Sequence, residues 1–170
     1  MSKSFQKKIT NANHDTEGFG LDVVKIARVR QIVDRTPSFV SKVFTDAEIE
    51  YCSKKYNPAI HFATHFAAKE AALKALGCGI YGGIKLKNVE VLHDEHGRPT
   101  LNLYKKANDL FNELNVKKLE ISMTFTADEA VACVICIYGD KPAYSLIKSK
   151  SKQNTTDKIM KAFKQIKGNV

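Results

Sequence analysis

The sequence predicts an α+β domain in which an antiparallel sheet carries helices on one side. Two observations lead there: β-rich runs bounded by glycines and polar turns stand at both ends of the domain, and a long alanine-rich stretch of helical character lies between them. The run GFGLDVVKIARV opens with glycine punctuation and β-branched residues, so a short strand from about Glu17 ends near Asp22 to Val24 and leads into a helix. Thr45 and Glu48 have the Ser/Thr-x-x-Glu spacing of a capping box, which starts a helix at TDAEIEYCSKK. Asn57 as cap and Pro58 at the first helical position begin a long helix through AIHFATHFAAKEAALKAL, stopped by Gly77. Phe62, Phe66, Leu73 and Leu76 fall near one stripe of that helix, and its alanines permit another element to pack close. IKLKNVEVLHD and RPTLNLY read as strands joined by the turn DEHG, residues 105–114 as a helix, and KLEISMTFT and EAVACVICIYG as a second hairpin. The expected order is strand, three helices, hairpin, helix, hairpin.

At 170 residues the chain fits one ordinary domain with a core of its own. Hydrophobic residues at 44% and charged residues at 26% give the balance of a globular protein rather than a disordered or membrane one. No apolar run approaches the roughly 20 residues of a spanning helix, and MSKSFQKKITNANHDTEG lacks the apolar stretch of a signal peptide, so a cytoplasmic location without transmembrane segments is expected. The scattered Cys52, Cys78, Cys133 and Cys136 suit a reducing compartment. Cys133 and Cys136 sit three apart in an apolar strand, where they point to opposite faces, so their CxxC spacing is not read as a metal or redox motif. The net charge of +9 is mostly a tail: residues 141–170 hold eight lysines against one aspartate, leaving 19 basic and 17 acidic residues before it. That placement argues against a nucleic-acid partner. Three segments follow: an N-terminal extension, 1–16; a folded domain, 17–140; and a basic tail, 141–170, in which Ile159, Phe163 and Ile166 have helical spacing. The tail reads as a solvated or weakly docked helix, with contact to an acidic partner or a membrane surface as the alternative.

Few acidic residues stand in apolar surroundings, and Asp22 and Glu70 are the two that matter. Carboxylates in such places usually need a partner, since burying an unpaired charge is costly. A hard cation such as magnesium is commonly held by one or two carboxylates, with phosphates and waters completing the octahedron. Lys74 stands at i+4 from Glu70, and spacing alone favours a plain Glu70–Lys74 surface pair over a metal site. Gly77 and Gly79, flanking Cys78, would let backbone amides approach a phosphate, and a helix stop explains them equally well. His61 and His65 are four apart, but HFATH lacks the glutamate of a zinc-protease motif, so ordinary packing is the better reading. No Walker A loop, nucleophile elbow or dinucleotide fingerprint is present.

Five words, GFGLDVVKIARV, SFVSKVFTDAEIEYC, HFATHFAAKEAALKALGCGI, LKNVEVLHDEHGRPTLNL and ISMTFTADEAVACVI, occur in the order found in holo-acyl-carrier-protein synthases, and over residues 18–138 the chain resembles that short, single-domain branch of the phosphopantetheinyl transferase superfamily. The Lys-Glu-x3-Lys core of FAAKEAALKALG is the most specific word. The resemblance implies the 4′-phosphopantetheinyl transferase fold and transfer of 4′-phosphopantetheine from coenzyme A to a serine of apo-acyl-carrier protein, in fatty-acid or polyketide biosynthesis. It implies Mg²⁺ on Asp22 and Glu70, catalytic roles for Glu70, Lys74 and Asp22, and Lys74 close to the coenzyme A phosphates; Lys69, Gly77, Gly79 and, when protonated, His65 are the further candidates for coenzyme A contacts. The serine proton would pass to Glu70 or to a metal-bound water. It further implies a homotrimer with active sites between subunits, and docking of the acidic carrier protein at Arg28. Three positions depart from the family: His65 stands where Arg is frequent, Phe125 where a Ser-x-x-His word would end, and Lys25 where an acid is frequent. The alternative is a non-catalytic homologue that binds carrier proteins.

Overall fold

A computed structural model describes residues 17–78 and 83–139. The expected extension 1–16, the tail 141–170 and Gly79 lie outside the described residues. In chain order the elements are β1 (Glu17–Lys25), α1 (Ile26–Arg35), α2 (Pro37–Val43), α3 (Asp46–Ser53), α4 (Pro58–Ala75), a 3₁₀ turn (Leu86–Asn88), β2 (Val89–His93), β3 (Pro99–Leu103), α5 (Lys105–Glu113), β4 (Val116–Phe125) and β5 (Glu129–Tyr138). This is the expected α+β class, with two refinements. Four helices rather than three precede the first hairpin, because Pro37 disfavours a helical Thr36, whose φ is −135° and which parts α1 from α2. The strands also divide into two antiparallel sheets, β1-β5-β4 and β2-β3. The last strand therefore lies in the middle of the larger sheet, with Asp22 of β1 opposite Ala132 of β5.

Local signals set most boundaries. Thr45 caps α3 as expected: its backbone N–H donates to Glu48 Oε2 at 2.8 Å, and its Oγ1 accepts the Glu48 N–H at 3.4 Å. Pro58 opens α4, but Asn57 does not cap it; its Oδ1 instead accepts a bond from Arg30 Nη2 at 3.4 Å. Gly77, at φ +69°, ends α4 in a Schellman arrangement, with the Cys78 N–H on Leu73 O and the Gly77 N–H on Lys74 O. In the β2–β3 turn, Asp94 Oδ1 accepts the N–H groups of His96 and Arg98, and Gly97 takes φ +76°.

The core is organised around α4, which is buried round most of its circumference rather than along one stripe. Its alanines Ala67, Ala68, Ala71, Ala72 and Ala75 face the large sheet with Ala132, Val134 and Cys136. On another side Phe62 and Ala63 join Ile26, Val29, Val43 and Phe44 from the preceding segments, with the Phe44 and Phe62 rings edge to face at 5.0 Å. The contact with β1 is the tightest. A Cβ added at Gly20 would lie 1.9 Å from the Ala71 carbonyl oxygen, and one at Gly18 2.2 Å from that of Ala75. Among the described residues only the α4 side of the sheet is covered: on the opposite face Phe19, Leu21 and Val23 are 62%, 46% and 50% exposed. Cys136 is buried and Cys133 is not, the opposite-face placement expected of them. All four thiols are free, and among the described residues no helix is long and apolar enough to cross a membrane.

Gly20→Ala should therefore cost about 1–3 kcal/mol of stability or more, as overpacking does. Urea unfolding checks this; an unchanged midpoint would show that β1 and α4 can separate freely.

Candidate active site

Alternation along β1 sends Gly18, Gly20 and Asp22 toward α4 and Phe19, Leu21 and Val23 away from it. The two glycines bring the strand against the helix, so Asp22 arrives beside the last turns of α4. There it meets Lys74, whose ammonium donates to Asp22 Oδ1 at 2.7 Å and to the Leu21 carbonyl at 2.9 Å. Glu70 lies one turn before Lys74. Its Oε1 is buried with no hydrogen-bond partner. Burial, and then the neighbouring Asp22 charge, push the Glu70 carboxyl above its ordinary value, with Lys74 opposing them. Asp22 and Glu70 share a cleft of about 490 Å³ with Arg28, Val29, Phe39 and Phe66 among its other walls. The structure thus brings together four of the expected residues: Asp22, Glu70, Lys74 and, at the rim, Arg28.

Two more expected residues, Lys69 and His65, face away from this cleft. Lys69 follows the same helix but faces the interior, fully buried. Its ammonium donates to Glu48 Oε2 at 2.7 Å, to Leu86 O at 3.3 Å and to Val89 O. All three of its protons are taken, so it has none for a coenzyme phosphate. His65, one turn earlier on that face, is also buried, with Nδ1 3.6 Å from Glu48 Oε1, a polar contact too long for a full hydrogen bond. Its ring is stacked with those of Tyr51 and His93 at 5.4 and 5.3 Å. Burial, then the positive neighbours, push His93 down to about 4. Gly77 spends its amide on the Lys74 carbonyl, as a helix stop requires, so that amide is not offered to a phosphate. Phe125 is half-exposed at the end of β4, opposite Ala130.

The residue that sequence reasoning underrated is Glu48. Read there only as a capping partner, it accepts the Thr45 N–H, the Val91 N–H at 3.0 Å and the Lys69 ammonium, tying α3, β2 and α4 together. Burial alone would raise its carboxyl; the His65 and Lys69 contacts and the Thr45 N–H outweigh it and hold Glu48 below its ordinary value. The capping-box spacing gave its helix position, but its long-range partners left no local signal.

The two carboxylates suit a hard divalent cation. Both offer oxygen donors, and the buried Glu70 Oε1 is an acceptor that nothing among the described residues satisfies. Among the described residues no group of three or more His, Cys, Asp or Glu side chains is placed to enclose a metal. Two carboxylates with phosphates and waters completing the shell is the usual provision for magnesium.

A sequence profile of the 4′-phosphopantetheinyl transferase superfamily matches residues 18–136. The holo-[acyl-carrier-protein] synthase of Syntrophus aciditrophicus is 47% identical over 119 residues, which is 69% of this chain and 93% of that protein. The one from Geotalea daltonii is 42% identical over 119 residues, covering 69% and 95%. Among solved structures, the Helicobacter pylori holo-[acyl-carrier-protein] synthase in complex with coenzyme A superposes with a TM-score of 0.62 at 30% identity, covering 69% of this chain and 98% of that one. The Plasmodium yoelii holo-ACP-synthase gives 0.64 at 25% identity, covering 72% and 95%.

Lys69→Met should cost about 3–5 kcal/mol, the scale of stranding a buried charge. Because the Glu48 carboxyl is held below its ordinary value, the stability it contributes is present above the ordinary carboxylate range and is lost as pH falls through the lowered value. Chemical unfolding of both proteins from pH 7 downward checks this, the variant losing most of that acid-side dependence. A stable Lys69→Met protein with impaired coenzyme A binding would return Lys69 to the ligand site.

Proposed function

This chain belongs to the 4′-phosphopantetheinyl transferase superfamily, and from that premise we propose how it acts. It is an enzyme that transfers 4′-phosphopantetheine from coenzyme A to a serine hydroxyl of apo-acyl-carrier protein, yielding holo-carrier protein and adenosine 3′,5′-bisphosphate. The observation that carries the reading is the convergence of Asp22, Glu70 and Lys74 at one cleft, with a Glu70 oxygen left unsatisfied.

In the reaction the serine oxygen bonds to the phosphorus next to the pantetheine, and that phosphorus parts from the oxygen bridging it to the adenylate half. Asp22 and Glu70 would hold the magnesium ion, whose contribution when bound would be to neutralise charge on the diphosphate. Lys74, half-exposed at the cleft, adds a mobile positive charge beside the same oxygens. Glu70, whose carboxyl is raised by burial and by Asp22, would take the serine proton directly or through a water. Arg28, exposed on α1 at the rim, meets an acidic partner before the cleft does, so the carrier protein docks there. Attraction of this kind raises the association rate and fades with salt.

A homotrimer is part of this reading. The resemblance supplies the number of copies, and the apolar row Phe19, Leu21 and Val23, exposed among the described residues, supplies a surface for the contact. The site would then lie between subunits. A cytosolic setting, with fatty-acid synthesis as the destination of the holo-carrier protein, completes the reading and agrees with four free thiols.

Incubation with coenzyme A, Mg²⁺ and apo-carrier proteins should add one phosphopantetheine group to the carrier, visible by mass spectrometry. Binding of carrier with no added mass would favour the non-catalytic alternative. Asp22→Asn and Glu70→Gln should each lower turnover on the order of 100-fold or more with the fold intact, the scale on which one preorganised charge is felt. A variant near the normal rate would remove its carboxylate from the mechanism. Leu21→Arg with Val23→Arg should leave monomers in the ultracentrifuge, and a persistent trimer would move the interface elsewhere.

A further inference from the structure

Resting on the reading of Asp22 and Glu70 as the cation site, we propose that Lys74 is a displaceable counter-ion: it occupies Asp22 in the metal-free enzyme, and the arriving cation releases its ammonium toward the coenzyme diphosphate. The Lys74 ammonium sits 2.7 Å from Asp22 Oδ1 and 2.9 Å from the Leu21 carbonyl. It thus holds an oxygen of one of the two carboxylates that the cation needs. Glu70, on the same helix one turn away, gets no such bond, and its Oε1 stays buried and unpartnered. Counting only Asp22, Glu70 and Lys74, the cation site carries one negative charge in excess, a local setting unfavourable to a diphosphate oxygen, while Lys25 and Arg28 add positive charge on the cleft walls. A dication on the pair reverses the sign, and a freed ammonium then finds its best acceptors on the diphosphate.

Lys74 is built to move. Its side chain is 48% exposed, against 17% for Asp22, so water can solvate the ammonium between partners. The contrast with Lys69 on the same helix is direct, because that ammonium is fully buried with three protein acceptors and has nowhere to go. Cation and coenzyme are coupled through this exchange. The cation has to displace a lysine before it binds, and the lysine it displaces then favours the second ligand, so each ligand tightens the other by the same factor.

The test is Mn²⁺ binding to the full-length protein and its Lys74→Met variant, by calorimetry, with and without coenzyme A. Without coenzyme the variant should bind Mn²⁺ on the order of fivefold more tightly, since a half-exposed ion pair no longer has to be broken. Coenzyme A affinity in the presence of Mn²⁺ should fall by a similar factor, and the mutual tightening should shrink. Equal or weaker Mn²⁺ binding by the variant without coenzyme overturns the proposal while leaving the carboxylate site standing. Failure of either protein to bind Mn²⁺ overturns the carboxylate site as well. A second readout separates displacement from simple charge repulsion. In wild-type protein, nuclear Overhauser contacts from the Lys74 ε-methylene to Leu21 and Asp22 should vanish when Mg²⁺ is added. Their persistence at saturating Mg²⁺ would mean that the lysine never leaves.

Discussion

The structure depends on the near-contact of two backbones, β1 and α4. With 1.9 Å between a notional Gly20 Cβ and the Ala71 carbonyl oxygen, no side chain fits between strand and helix. Alanine on one side and glycine on the other are the composition such a contact demands. From it follow the burial of α4, the position of β5 in the sheet, and the placing of Asp22 within 2.7 Å of a residue 52 positions further along the chain. Without that approach the carboxylate pair would be two unrelated acids on separate elements.

Lys69 and Lys74 show how far environment outweighs residue type. They are five apart on one helix, and a helix of 3.6 residues per turn sends them to different sides. Toward the interior, Lys69 completes a pair with Glu48 that holds α3, α4 and β2 together. Toward the cleft, Lys74 keeps its stem in solvent and its charge available. One is a fixed strut and the other a mobile charge.

Much of this was legible in the sequence. The glycine-led strand, the capping box at Thr45, the Gly77 stop and the Asp94–Gly97 turn are local signals, and local signals survive reading one segment at a time. The Asp22–Glu70–Lys74 grouping needed more: spacing favoured a surface pair, and the ordered words of the family turned the reading. Lys69 and His65 face the interior and not the cleft, a distinction no motif carries, since a motif records which residues recur and not which side of the helix they face. Glu48 was half seen, since capping is local while its bonds to Val91 and Lys69 span 43 and 21 positions. Asn57 was credited with a cap it does not make, because a distant arginine took its side chain.

The two-sidedness of β1 has a consequence for misfolding. If the strand seated one residue out of step, Phe19 or Leu21 would be driven at the Ala71 and Ala75 carbonyls, where even a methyl group collides. A shifted strand cannot be absorbed by adjustment and is rejected outright. Well-folded molecules with a misdirected Asp22 are thereby excluded, and the strand acts as a quality check in which competence for chemistry and completion of the fold are one event.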